Sequence, residues 1–344
     1  MKKNLNRRDF VKTAAVGGIG LGLAGNITSL YGKGNTLAGK VGIIGLDTSH
    51  CIEYTKTLND PKAGSEFAGY KVVAAYPTAG SSDLASSINR LAGFTEQVKQ
   101  QGVEIVSSIE ELLKKVDVVL LETVDGRKHL EQALPVIKAG KRMFIDKPVA
   151  ASLSDAIAIF DAAKHYNVPV FSSSSLRYIG DAQEIAAGKI GKVLGADTYG
   201  PCEIEKTHPD LFWYGIHGIE ALFTVMGTGC KSVIRVHTEN TDMVVGTWQD
   251  NRVGSYRGTR YPGYLFGGTV FGDKKTLVLG EYKGYNPLLI KIIEFFRTGV
   301  VPVSPEETLE ICAFMEAADE SKLKGGVSVD LETAIQRAEK KAKK

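Results

Sequence analysis

His217 and Glu220 stand three apart in a largely apolar stretch, at a spacing that puts both on one helix face. Lys147 follows directly on a run of apolar residues that reads as a strand. A carboxylate beside an imidazole orients the ring or raises its basicity, and a histidine of near-neutral pKa is a suitable proton acceptor. A lysine just past the carboxyl end of a strand in an open parallel sheet points its ammonium at a bound cofactor or a substrate hydroxyl. The plainer alternatives are a structural helix histidine and a surface lysine in a loop. Pairing His217 with His208, or His50 with Asp47, as metal ligands lacks a third partner at recognisable spacing, so no metal is expected.

A second constellation lies near the start. Val41 to Ile44 is an apolar run that ends in Gly45, followed by Leu46, Asp47, Thr48, Ser49, His50 and Cys51. A buried strand entering a tight turn and a helix is where a doubly wound domain holds the pyrophosphate of a dinucleotide. Of the G-x-G-x-x-G pattern only Gly45 is present; Asp47 and His50 take the places of the second and third glycines. A carboxylate at the second place sets bulk and negative charge against an anion. Read more simply, Asp47, Thr48 and Ser49 cap the helix. Tyr76 ends the second predicted strand, where an acidic residue would bind an adenosine ribose; it stacks on a base or fills the strand end.

The elements that must position these residues alternate. Between residues 38 and 172 short apolar runs (70–76, 103–106, 118–122, 141–145 and 168–171) are separated by helical stripes, which predicts a parallel sheet covered on both faces. Ser108 with Glu111 forms a capping box, and Ser152 caps the next helix. Ser172 to Ser175 reads as a polar hinge. Residues 173–344 then hold strand-like runs at 233–237, 243–247 and 276–279, a long helix over 211–226, and two closing helices. Ser304, Pro305 and Glu307 announce the first of the two as N-cap, N1 and N3. The fold class is therefore α/β: a doubly wound parallel sheet, then an α+β domain with a mainly antiparallel open sheet. Residues 304–344 are expected to pack back on the first domain.

The chain has 344 residues and 43% hydrophobic content, enough for two domains with cores. Arg7, Arg8 and Phe10, followed by a small and apolar run over 13–25, resemble a twin-arginine export signal, which implies a periplasmic address. That run is shorter than the ~20 residues needed to cross a bilayer, so no stable membrane anchor is expected once residues 1–31 are removed. Those residues carry Lys2, Lys3, Arg7, Arg8 and Lys12 against Asp9, so without them the net charge falls from +3 to −1. Nucleic acid is not an expected partner. Four cysteines show no metal spacing, though Cys202 and Cys230 could pair outside the cytoplasm.

Asp146-Lys147-Pro148, Gly215-Ile216-His217, Val41 to Gly45, Ser108 to Leu113 and His129 to Gly140 together resemble the Gfo/Idh/MocA family. The resemblance implies a Rossmann domain, NAD or NADP as cofactor, and a sugar or polyol as the small-molecule partner. It implies that Lys147 contacts cofactor and substrate, that His217 is the catalytic acid/base, and that the open sheet pairs in a homo-oligomer. Gly45, Asp47, Thr48, Ser49, His50, Tyr76 and Lys147 are then the cofactor-binding candidates; Lys147, His217 and Glu220 are the catalytic ones. Departures remain: the family's E-K-P begins here with Asp146, and its catalytic Asp is Trp213. These leave three readings: an exported NAD(P)-dependent oxidoreductase, a sugar lyase, hydrolase or epimerase on the same fold, and a carbohydrate-binding protein with a decayed site.

Overall fold

The computed structural model describes residues 39–343 apart from 79, 262 and 264, so the export signal expected over 1–31 lies outside the described residues. The first sheet forms from β1 (Lys40–Ile44), β2 (Lys71–Tyr76), β3 (Glu104–Ile105), β4 (Val118–Leu121), β5 (Met143–Ile145) and β6 (Val170–Ser172). Their order is β3-β2-β1-β4-β5-β6, every pair parallel. The crossovers are α1 (Ser49–Asn59), α2 (Ala85–Gln100), α3 (Ile109–Leu113), α4 (His129–Lys138) and α5 (Leu153–His165). Central strands buried on both faces explain why Val118–Leu121 is wholly apolar. Three caps form as the sequence predicts: Ser108 accepts from Glu111 N–H, Ser152 from Asp155 N–H and, further on, Ser304 from Glu307 N–H.

After α6 (Ala182–Ala186) comes β7 (Val193–Pro201), then a π-helical turn, Leu211–Gly215, that runs into α7 (Ile216–Met226). The chain continues through β8 (Cys230–His237), β9 (Thr241–Trp248), β10 (Val253–Thr259), β11 (Gly267–Gly272), β12 (Thr276–Val278), α8 (Asn286–Thr298), α9 (Pro305–Leu323), β13 (Val329–Asp330) and α10 (Leu331–Ala342). The second sheet runs β12-β11-β7-β10-β9-β8-β13 and is antiparallel except where β10 meets β7. The two closing helices expected from Ser304 onward are α9 and α10, and a helix the sequence reading leaves out, α8, precedes them. Leu288, Leu289, Ile292 and Ile293 of α8 share a core with Val41, Leu120 and Phe144 of the first sheet, and Phe295 sets its ring 4.8 Å from Phe171. The last two helices, α9 and α10, lie against α5.

All of α7 is buried, including the face that carries His217 and Glu220. One side meets the second sheet so closely that a Cβ on Gly218 would sit 2.2 Å from the Tyr256 ring. On the other, Phe223 makes an edge contact with Phe314 of α9 at 5.4 Å. Ser172 to Ser175 is likewise no exposed hinge; all four serines are buried. Cys51, Cys202, Cys230 and Cys312 are buried and free, so Cys202 and Cys230 do not pair. No helix among the described residues is long and apolar enough to cross a membrane.

Candidate active site

A cavity of about 300 Å³ opens between the carboxyl ends of the first sheet and the start of α7, with His50, Lys147, Trp213, His217, Phe266 and Tyr285 on its walls. Lys147 arrives two residues after β5. Its backbone N–H donates to Asp146 Oδ1 at 2.8 Å, and its Nζ lies 3.8 Å from Asp146 Oδ2. His217 enters from the opposite side, in the first turn of α7. Its Nδ1 is 2.7 Å from Ser174 Oγ. Burial holds its pKa well below the usual value, and the charges of Lys147 and His50 push it the same way, so the imidazole is neutral at ordinary pH.

Glu220 does not touch that imidazole. It is buried, and accepts from Ser173 Oγ at 2.6 Å, Ser174 N–H at 2.7 Å and Arg177 Nε at 2.8 Å. Its coupling to His217 runs through Ser174, whose backbone it holds and whose hydroxyl meets the ring. The spacing of three puts both residues near one place, but the packed interior turns the carboxylate toward the end of β6. Burial raises the Glu220 pKa despite the Arg177 charge.

The floor of the cavity holds a group that motif reading leaves out. His50 Nδ1 is 2.9 Å from Asp146 Oδ2 and 3.8 Å from Glu122 Oε2. Glu122, the residue after β4, is 0% exposed, and among the described residues neither of its oxygens meets a hydrogen-bond partner. Burial and the neighbouring Asp146 charge raise its pKa well above the carboxylate range. Burial also disfavours charge on Asp146, but His50 and Lys147 outweigh it and hold that group low. The two acids thus divide into one neutral and one ionised. His50 therefore partners Asp146 and Glu122, not Asp47. The available signal was an acid closing the otherwise apolar run Val118-Val119-Leu120-Leu121.

At the β1–α1 turn Gly45 has φ +89°, and a Cβ there would lie 2.4 Å from Thr123 N, so only glycine fits. Asp47 is 0% exposed and accepts from Ser87 Oγ at 2.6 Å, Val124 N–H at 3.0 Å and Gly80 N–H at 3.2 Å. Its carboxylate therefore ties the turn after β2 to the turn after β4. Burial raises its pKa, against the hydrogen bonds it accepts. The same two turns are clamped again by Asp125, which takes Ser81 N–H at 2.9 Å and His208 Nε2 at 3.0 Å, and by Arg127, 2.7 Å from Asp83. Thr48 is the N-cap residue of α1 but makes no side-chain cap bond; Thr48 and Ser49 face the cavity. The half-buried Tyr76 packs against the hydrophobic core.

Residues 40–174 match the oxidoreductase family with an NAD-binding Rossmann fold, Gfo/Idh/MocA. Over 100 residues the chain is 34% identical to 1,5-anhydro-D-fructose reductase from Ensifer adhaerens, covering 27% of this chain and 30% of that protein. Over 140 residues it is 24% identical to the uncharacterised oxidoreductase YhhX of Escherichia coli, 36% of this chain and 40% of that one. The chain thus spans less than half the length of these sequence relatives. In structure it is similar to a probable dehydrogenase from Thermotoga maritima, with TM-score 0.69 at 19% identity over 86% of this chain and 100% of that one. It is also similar to scyllo-inositol dehydrogenase from Lactobacillus casei with bound NAD(H) and scyllo-inositol, with TM-score 0.66 at 16% identity over 86% and 99%. Residues 40–174 are thus similar to the NAD-binding Rossmann domain of the Gfo/Idh/MocA oxidoreductases, and the described residues share the two-domain fold of these solved dehydrogenases.

Proposed function

We propose that this chain converts a sugar or polyol derivative in the cavity between its two domains, with His217 moving a proton on the substrate and Lys147 holding a substrate oxygen. The observation that carries this reading is the buried, neutral His217 facing the same cavity as Lys147. With its Nδ1–H donated to Ser174 Oγ, the imidazole keeps Nε2 as proton acceptor. Trp213, Phe266 and Tyr285 give the cavity an aromatic wall for the apolar side of a sugar.

The resemblance implies NAD(P), whose pyrophosphate would be held at the first βα turn and the N-terminus of α1. The residues here do not fit that half of the cofactor. Asp47 already occupies the backbone N–H groups of Gly80 and Val124, and a phosphate beside it would meet a buried carboxylate. That observation favours the non-redox reading, elimination or epimerisation, in which proton transfer is the whole of the chemistry. Such a reaction needs a C–H bond made acidic by a neighbouring carbonyl or carboxylate, so the substrate class narrows to keto sugars and sugar acids.

The test is incubation with a panel of keto sugars, aldonic and uronic acids in D₂O, read by NMR. One panel member is expected to take up deuterium or convert, and His217→Ala to lose ~10²- to 10⁴-fold of that rate in protein still folded at the assay temperature. Binding without exchange or conversion would make this a binding protein instead. Tyr199, Ile234, Val236 and Phe271 are exposed on the second sheet and support a homo-oligomer built on it, which light scattering checks as a mass above the monomer's.

A further inference from the structure

We propose that His50, Glu122 and Asp146 form a divalent-metal site at the cavity floor that takes Zn²⁺ or Mn²⁺. The three side chains come from different elements, the first turn of α1 and the ends of β4 and β5, and their ligand atoms all lie within 4.8 Å of one another. Metal bonds of about 2.0 to 2.2 Å set neighbouring ligand atoms about 3 to 4 Å apart. The separations of 2.9 Å from His50 to Asp146 and 3.8 Å from His50 to Glu122 match that spacing, with the ion in place of the proton that His50 and Asp146 share.

The second observation is independent of the spacing. A fully buried acid whose two oxygens find no hydrogen-bond donor is a rare arrangement in a folded protein, and Glu122 is not alone in it. Thr48 Oγ1, Tyr54 Oη and Thr123 Oγ1 are also buried and unpartnered. Thr48 precedes His50 by two residues, Thr123 follows Glu122, and Tyr54 stands one turn beyond His50 on the same helix, its ring 5.8 Å away. Other unpartnered atoms among the described residues lie elsewhere, on Ser86, Gln101, Gln132 and Asp319, but Glu122 alone leaves both oxygens of a buried acid open, which a cation and its water ligands would satisfy. One imidazole and two carboxylates are a donor set for Zn²⁺ or Mn²⁺.

The chemical consequence rests on the proton-transfer reading above. A cation at the floor would sit on the Lys147 side of the cavity, opposite His217, since Lys147 Nζ is 3.8 Å from Asp146 Oδ2, and would draw a substrate carbonyl or carboxylate oxygen toward it. His217 takes the proton from the adjacent carbon. The C–H electron pair becomes the carbon–carbon double bond of an enediolate, and the oxygen's new charge rests against the cation. The enediolate then expels its β-hydroxyl, which leaves as water with the proton returned by His217, or takes a proton back from His217 at the same carbon after that proton has exchanged with solvent. Neither course needs an oxidant.

The full-length chain, stripped with a chelator and dialysed, is titrated calorimetrically with Zn²⁺ or Mn²⁺ alone. One equivalent is expected, weakened by more than about 100-fold in Glu122→Gln and His50→Ala and unchanged in Glu294→Gln, an exposed carboxylate elsewhere. Binding unaffected by the first two variants, or no binding, would overturn the site. If those variants fold poorly, X-ray absorption of the zinc-loaded wild type decides: one imidazole with oxygen donors supports it, while sulfur donors or several imidazoles overturn it. No substrate enters these measurements, so they stand apart from the proton-transfer reading. Deuterium exchange that persists in chelated protein would keep that reading and remove the metal from it.

Discussion

Asp47 shows how one side chain fixes a loop. A glycine at this place would leave the backbone open to a phosphate; the carboxylate instead ties the turns after β2 and β4 together. Removing it leaves Val124 N–H and the buried Ser87 Oγ–H short of an acceptor, while Gly80 N–H keeps its 2.7 Å bond to Ser87 Oγ. Asp47→Ala is therefore expected to lower unfolding stability by about 2 to 4 kcal/mol in denaturant titration, whereas a mere helix cap would lose about 1 kcal/mol. The sequence marks Asp47 as out of place but not what it does, because its partners lie 33, 40 and 77 residues away. Glu122 was hidden for the same reason: only the strand order, which sets the end of β4 beside β5 and under α1, brings it to His50 and Asp146.

At the scale of elements, α7 is the part on whose placement the proposed chemistry rests, since it carries His217 on a helix with no free face. Gly218 lets it lie on the Tyr256 ring. Gly218→Ala must push helix and sheet apart, which is expected to lower stability by about 1 to 3 kcal/mol and, because His217 is the neighbouring residue, to lower turnover as well. A variant with wild-type rate and melting temperature would contradict this packing. Elements with an unmistakable period or cap were legible: β1, β4, and the helices opened by Ser108, Ser152 and Ser304. Those missed had weaker marks. Only Ser87 and Val98 of α2 are buried, so it has little apolar stripe. In β10, Val253-Gly254-Ser255-Tyr256-Arg257-Gly258-Thr259, glycines face the core because Leu222, Met226 and Cys202 press against them, which blanks the alternation that reveals a strand. A clear stripe in α8, Leu288, Leu289, Ile292 and Ile293, went unread.

Across the whole molecule, the second domain is pinned by a buried ion cluster. Arg235 of β8 meets Asp242 of β9 at 2.7 Å, Asp210 before the π turn at 2.9 Å, and Asp319 of α9. Three carboxylates around one guanidinium, joined by Lys322 and Arg260, leave Asp319 as the acid that keeps its proton: burial pushes its pKa up to about 7. Folded Asp319 therefore holds a proton that the unfolded chain releases near pH 4, so its contribution is complete below that pH and is lost as pH rises through about 7. Melting temperatures between pH 4 and 8 are expected to fall less steeply in Asp319→Asn than in the wild type; parallel profiles would contradict the assignment.

The central claim is that the place of the dinucleotide has been rebuilt from this chain's own side chains, by Asp47 across the β1 turn and by His50, Glu122 and Asp146 beneath the cavity. Mass spectrometry of the small molecules released on denaturing the purified protein tests it most directly. The account predicts no nicotinamide dinucleotide, and none retained after incubation with millimolar NAD⁺ or NADP⁺ and gel filtration. Recovery of either at close to one equivalent per chain would contradict it.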